Sequence, residues 1–238
     1  MQYLDVGLAM LAFFGLCAFF NRRCGVAGGR TPLLASACLI LCLTVSGVAG
    51  VLRLGGWLLY LGSAVLLTAA LLPKVLRFKK STAAAEGCDA PPLFDFGFGF
   101  FLAVSLAVIA VFAVRQPMFA EWDEMSFWGT ACKLVSLNDE LYTTAEIGWD
   151  WVGAQHPGAI LMSYFFQFFG EFAPWKTFVG YDVLLFAAFA AVVSAVTELS
   201  MHPDKLPTDV FIILAVVILN TVLGVVQESK AEKAIDAL

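Results

Sequence analysis

FDFGFGFFLAVSLAVIAVFAV, residues 94–114, carries a single charged side chain, Asp95, and no polar stripe recurring every turn. A surface helix of a soluble domain would show such a stripe; a helix apolar all round belongs in a core or in lipid. Crossing roughly 30 Å of hydrocarbon takes about 20 helical residues, which this run supplies. Similar runs lie near 2–20, 32–51, 54–73, 177–197 and 209–226. PGAILMSYFFQFFG, residues 157–170, is shorter. At ~1.5 Å per residue it reaches only about 21 Å, so it is either a short span or a re-entrant helix. Pro157 suits a first helical position, where its missing N–H leaves no bond unmade.

The composition agrees. Of the 238 residues 61% are hydrophobic and 14% charged, whereas soluble domains run near half apolar and about a quarter charged. The expected fold is all-α: a polytopic membrane protein of about seven transmembrane helices. A net charge of −5 offers no basic surface for neutralising phosphates, which excludes a nucleic-acid partner. Cys17, Cys24, Cys38, Cys42, Cys88 and Cys132 show neither a CxxC nor a zinc spacing. Cys38 and Cys42 share a helix face, and two buried small hydrophobes are a better account of them than a ligand pair. At the start of the chain Asp5 precedes the apolar run and Arg22 and Arg23 follow it, the reverse of a secretory signal.

Basic residues in short loops set orientation. Arg22, Arg23 and Arg30 mark the first loop as cytoplasmic, and Lys74, Arg77, Lys79 and Lys80 mark the third. Residues 115–156 then fall outside, and the N-terminus is outside as well. With 157–170 crossing, the C-terminus bearing Lys230 and Lys233 is cytoplasmic; with it re-entrant, that end is outside. The seven-span, C-in arrangement is the expectation. The chain divides into a three-helix segment (1–78), a small, polar and proline-containing cytoplasmic linker (79–93), a membrane region (94–198) and a final helix with its tail (199–238).

The outer segment 115–156 is the unusual part. It holds Glu121, Asp123, Glu124, Asp139, Glu140, Glu146 and Asp150 against Arg115 and Lys133. Phe127, Ala131, Leu134 and Val135 recur at helical spacing, so an interfacial helix is expected there. Asp123 is placed to cap it, and Glu124 sits in its first turn, where acids complement the free N–H groups. Trp122, Trp128, Trp149 and Trp151 suit a water–lipid boundary. Spacing alone leaves two accounts open: a capped, solvated helix start with aromatic anchors, or a catalytic base or divalent-cation site at head-group height. Asp182, within FVGYDVLLF, is an acid inside an apolar run, placed by this threading near the cytoplasmic end of its span, and such acids default to a functional hypothesis. Asp150 between two tryptophans reads as a turn residue.

The order WDEMSFWGTACKL, LYTT, WDWVGAQHPGAILMSYFFQFFG over about 94–198 resembles the first outer loop and following helix of GT-C integral-membrane glycosyltransferases. That group includes protein mannosyltransferases and bacterial enzymes using polyprenyl-phosphate sugars. The matching elements are Asp123–Glu124, Phe127–Trp128, Ala131–Lys133 and His156–Pro157. The resemblance implies a bacterial cytoplasmic-membrane protein taking a sugar from a polyprenyl-phosphate donor in the lipid. Asp123 would then be the base deprotonating an acceptor hydroxyl, and Asp123 with Glu124 would be ligands that permit, without requiring, Mg²⁺ or Mn²⁺. Lys133, Arg115 and Trp128 would contact the substrate, and His156 the acceptor or the lipid phosphate. Arg115 as a snorkelling residue and His156 as a helix-start residue satisfying a carbonyl stay open beside those roles. GT-C enzymes have more spans, so the chain is expected to hold part of an active site and to show no turnover alone.

TDVFIILAVVILNTVLGVVQESKAEKAIDAL, residues 208–238, resembles the second membrane helix of calcium-type P-type ATPases through Val226, Gln227, Glu228, Ala231, Glu232, Lys233 and Ala234. The family's D-K-T-G and T-G-E motifs are absent from the sequence, so the resemblance implies a fused or truncated chain joined near 199–208, not a pump. A fragment of such an ATPase fused to unrelated spans, or a non-catalytic membrane protein, is the alternative reading of the whole.

Overall fold

A computed structural model describes residues 3–71, 91–141 and 157–201. Among these every regular element is a helix, and there is no strand. The elements are α1 (Leu4–Cys24), a 3-10 turn (Gly28–Arg30), α2 (Thr31–Val48), α3 (Leu52–Leu71), α4 (Phe96–Arg115), α5 (Trp122–Ser126), α6 (Trp128–Asn138), α7 (Pro157–Gln167) and α8 (Pro174–Met201). Five helices, α1, α2, α3, α4 and α8, are long and apolar enough to cross a membrane. They correspond to five of the runs read in the sequence. The run at 209–226 and the tail lie outside the described residues. Contacts divide the chain into Met1–Ser194 and Ala195–Leu238; of the second unit only the last turns of α8 are described.

Local chemistry sets the helix limits. Gly25, at φ 67°, ends α1 in the left-handed conformation, which costs glycine no steric strain. Thr31 and Pro32 open α2, the proline standing where no intrahelical N–H bond is lost. Asp95 caps α4: its Oδ1 accepts from the Phe98 amide at 2.8 Å and its Oδ2 from the Gly29 amide at 2.9 Å. That one carboxylate both starts α4 and ties it to the turn before α2.

Two ends of the bundle can be distinguished by contact. At one end Asp5 of α1 meets Lys176 of α8, Tyr3 meets Gln116 just past α4, and Arg53 of α3 meets Asp139 at the end of α6. At the other, the Asn21 amide donates to the carbonyls of Val26 and Pro91. We call these the Asp5 end and the Asn21 end. The start of α1 and the segment after α4 therefore share an end.

The stretch 157–170 is where expectation and structure part. Its helix is 11 residues long, about 16 Å, and falls short of the five helices long enough to cross a membrane. Gly158 lies against Ile40, midway along α2, while Phe168 reaches Gly56 near the start of α3 and Gly170 lies against Asp5. So α7 runs from the middle of the bundle to the Asp5 end, and α8 returns from that end. Among the described residues five helices are long enough to cross a membrane, and 157–170 is not one of them. Asp182 sits about two turns into α8 from the Asp5 end, half-buried, with no partner among the described residues.

The core gathers around α7, all of whose residues from Ile160 to Gln167 are buried. Tyr60 of α3 stacks on Phe165 and donates its hydroxyl hydrogen to the Phe165 carbonyl at 2.6 Å. On the opposite side α8 comes close because residue 180 is glycine: a Cβ there would stand 2.8 Å from the Ser163 backbone. The close approach brings polar side chains together. Gln167 Nε2 donates to Ser163 Oγ (2.8 Å) and Thr177 Oγ1 (3.0 Å), and Gln167 Oε1 accepts from the Ala173 amide. Buried polar groups need such partners in a medium without water.

Candidate functional site

The acid-rich segment is built at the Asp5 end as two short helices meeting at Phe127, whose φ of −114° and ψ of −97° break the helix. The expected single helix capped by Asp123 is thus corrected. Glu121 holds the N-cap position, and Glu124 Oε2 accepts from the Ala120 amide at 2.7 Å and the Glu121 amide at 3.1 Å. Glu124 satisfies two N–H groups that a helix start leaves orphaned. The kink needs Gly129, since a Cβ there would fall 2.0 Å from the Glu124 carbonyl oxygen. Thr130 Oγ1 closes it further by donating to the Met125 carbonyl. Much of the string WDEMSFWGT is therefore explained by local folding.

The named site residues separate by what they touch. Asp123 is exposed, and its carboxylate has no partner among the described residues. Lys133 is exposed on α6, and Arg115 is exposed as the last residue of α4. Trp128 is half-buried: it packs edge-on against Phe119 and Phe178, at 5.5 and 5.8 Å between ring centres, and tilts onto Tyr181 at 4.9 Å. It fastens α6 to α8. His156, with Asp150, Trp149 and Trp151, lies outside the described residues. Ala131, Cys132 and Val135 form the inward face of α6, close to the periodicity expected.

A divalent-cation site does not assemble from what is described. No three His, Cys, Asp or Glu residues come together among the described residues. The one carboxylate adjacent to Asp123 in sequence, that of Glu124, is engaged by two backbone amides. The donor set for Mg²⁺ or Mn²⁺ is one free carboxylate, and we derive no step through a metal.

Two charged arrangements at this end escaped the sequence reading. Lys176 is fully buried and donates to Asp5, itself 3% exposed, and to the Glu171 carbonyl at 2.9 Å. Asp139, left-handed at φ 56° where α6 ends, takes Arg53 of α3 on one oxygen and the Tyr164 hydroxyl of α7 on the other, the latter at 2.7 Å. The first ties α1 to α8; the second ties α3, α6 and α7. The only sequence signal for either was an acid or lysine beside an apolar run. Cysteine placement also departs from expectation. Cys42 is exposed and Cys38 half-exposed, while Cys17 and Cys132 are the buried ones. Burial pushes the Cys132 thiol up to about 12.

Comparison with protein-family models, with curated proteins and with solved structures found no match. The functional reading therefore rests on the chain itself.

Proposed function

We propose that the Asp5 end is the outer, working face of a GT-C-like membrane protein that recognises a polyprenyl-phosphate sugar, with Asp123 as the base toward an acceptor hydroxyl. The observation carrying this is the state of Asp123. Asp5, Asp95, Asp139 and Glu124 all have their carboxylates engaged in holding helices together or starting them. Among the described residues Asp123 has no such engagement; it stands beyond the end of an apolar helix and sits on a helix start that Glu124 holds in place. A carboxylate free of structural duty, held where lipid phosphates lie, is able to take a proton from a hydroxyl brought to it. Arg115 and Lys133, both exposed, are the cations for the donor phosphate. In this reading the Asn21 end is cytoplasmic, and α7 is re-entrant from the outer face.

Binding is the direct test. In nanodiscs the chain should bind a labelled polyprenyl-phosphate sugar saturably, and replacing Arg115 and Lys133 together by alanine should weaken it about tenfold, ~1.4 kcal/mol. Where transfer is reconstituted, Asp123→Asn should lower it by about 10²-fold or more, and Glu124→Gln far less. Absence of saturable binding, or full transfer by Asp123→Asn, contradicts the proposal. The capping role of Glu124 favours a second reading, in which α5 and α6 are a structural cover and the acids are simply solvated.

A further inference from the structure

An apolar groove of about 530 Å³ runs between α1 and α4, walled by Gly7, Leu8 and Leu11 on one side and Leu102, Leu106 and Ile109 on the other. We propose that it seats one acyl chain of a membrane phospholipid whose phosphate sits at the Asp5 end; the inference does not depend on the glycosyltransferase reading. Both walls are helices long and apolar enough to span a membrane, so hydrocarbon, not water, is what the groove meets. Along α1 it extends from Tyr3 to Phe14, about 16 Å at ~1.5 Å per residue, close to half of a ~30 Å hydrocarbon core. A groove one leaflet deep and open at the side matches a single lipid tail.

Its two ends differ in chemistry. Toward mid-bundle it is walled by Phe14 and Leu102; at the Asp5 end it is lined by Tyr3, whose hydroxyl accepts from a donor just beyond the groove. Gln116, in the left-handed conformation at φ 46°, turns its amide onto the Tyr3 hydroxyl at 3.0 Å. An amide nitrogen carries two N–H donors, so one remains beyond that bond. Arg115 adjoins it, exposed. Trp175 closes the groove at this end with an almost fully buried ring, 3% exposed. A phosphate or ester oxygen is the acceptor that the second Gln116 N–H lacks, and the Arg115 guanidinium complements a phosphate charge.

Gly7 makes the test clean. A Cβ added there meets nothing within 4 Å, and leucine has a higher helix propensity than glycine. Gly7→Leu should thus fill the groove and leave the fold intact. The measurement is photolabelling of the chain in nanodiscs by a phospholipid carrying a diazirine midway along one acyl chain, with labelled residues mapped by mass spectrometry. We expect labelling concentrated at Leu8, Leu11, Leu102 and Leu106 over the outward Leu41 and Leu58 of α2 and α3. Gly7→Leu should lower the groove signal about tenfold, ~1.4 kcal/mol, and leave Leu41 and Leu58 unchanged. Gln116→Ala with Arg115→Ala should lower it severalfold without changing thermal stability by more than a few degrees. Even labelling of all outward helices, insensitivity to Gly7→Leu, or stoichiometric displacement by polyprenyl phosphate would each overturn the assignment.

Discussion

The acid-rich segment at 121–126 and the buried polar seam around α7 and α8 handle charge in opposite ways. In the segment, acids crowd together in sequence and are conspicuous, yet Glu121 and Glu124 cap a helix start and Asp123 faces outward. In the seam, Asp5 and Lys176 are 171 residues apart and unremarkable in sequence, yet both are removed from solvent. The difference teaches that visible clustering of charge signals freedom, while the charges on which the fold depends are scattered singly and meet only on folding. A buried pair contributes little net stability over an apolar replacement, but losing one partner strands the other.

The largest expected effect breaks the seam. Lys176→Met leaves Asp5 buried without its cation and should destabilise the chain by roughly 3–5 kcal/mol, read as loss of folded protein in detergent. Asp5→Leu with Lys176→Met should recover most of that, and a double variant as unstable as the single would refute the pairing. Next is Gly180→Val. Its side chain would press on the Ser163 backbone, part α7 from α8, and cost roughly 1–3 kcal/mol or more.

On the acid-rich side effects shrink. Glu124→Ala removes the acceptor for two amides and should cost about 0.5–2 kcal/mol, whereas Asp123→Asn should change stability by less than ~0.5 kcal/mol. Equal losses would remove the contrast between the two acids. A subtler check concerns Cys132. With its folded value raised to about 12 against about 8.5 when unfolded, the protonated thiol is the form the fold favours. Its contribution to stability is complete below about pH 8.5 and declines as pH rises from there toward 12. Alkylation at pH 9 should accordingly modify exposed Cys24 and spare Cys132 until the chain unfolds.

Much of the helical architecture was legible because hydrophobic length is a one-dimensional property: α4 begins at Phe96 against an expected 94, and α1, α2, α3 and α8 lie on the runs read. Geometry between helices was not legible. Residues 157–170 are apolar whether they cross or re-enter; that Gly158 lies against α2 and Gly170 against Asp5 could not be read from that pattern. For the site, the motif reading singled out Asp123 and Glu124 as a pair, and the structure divides them, because which carboxylate returns to cap depends on where the helix starts. Phe127 carried no mark of the break it makes, though Gly129 close behind it was a signal available in the sequence.

The central claim is that Asp123, the start of α1 and the start of α8 share one membrane face, with α7 entering and leaving on that side. Single cysteines at positions 3, 23, 123 and 171, in a chain whose native cysteines are replaced, can be challenged in oriented vesicles with a membrane-impermeant maleimide. We predict that 3, 123 and 171 react from one side and 23 only from the other. Reaction of 171 on the same side as 23, as a crossing 157–170 would give, or of 123 with 23, would contradict it.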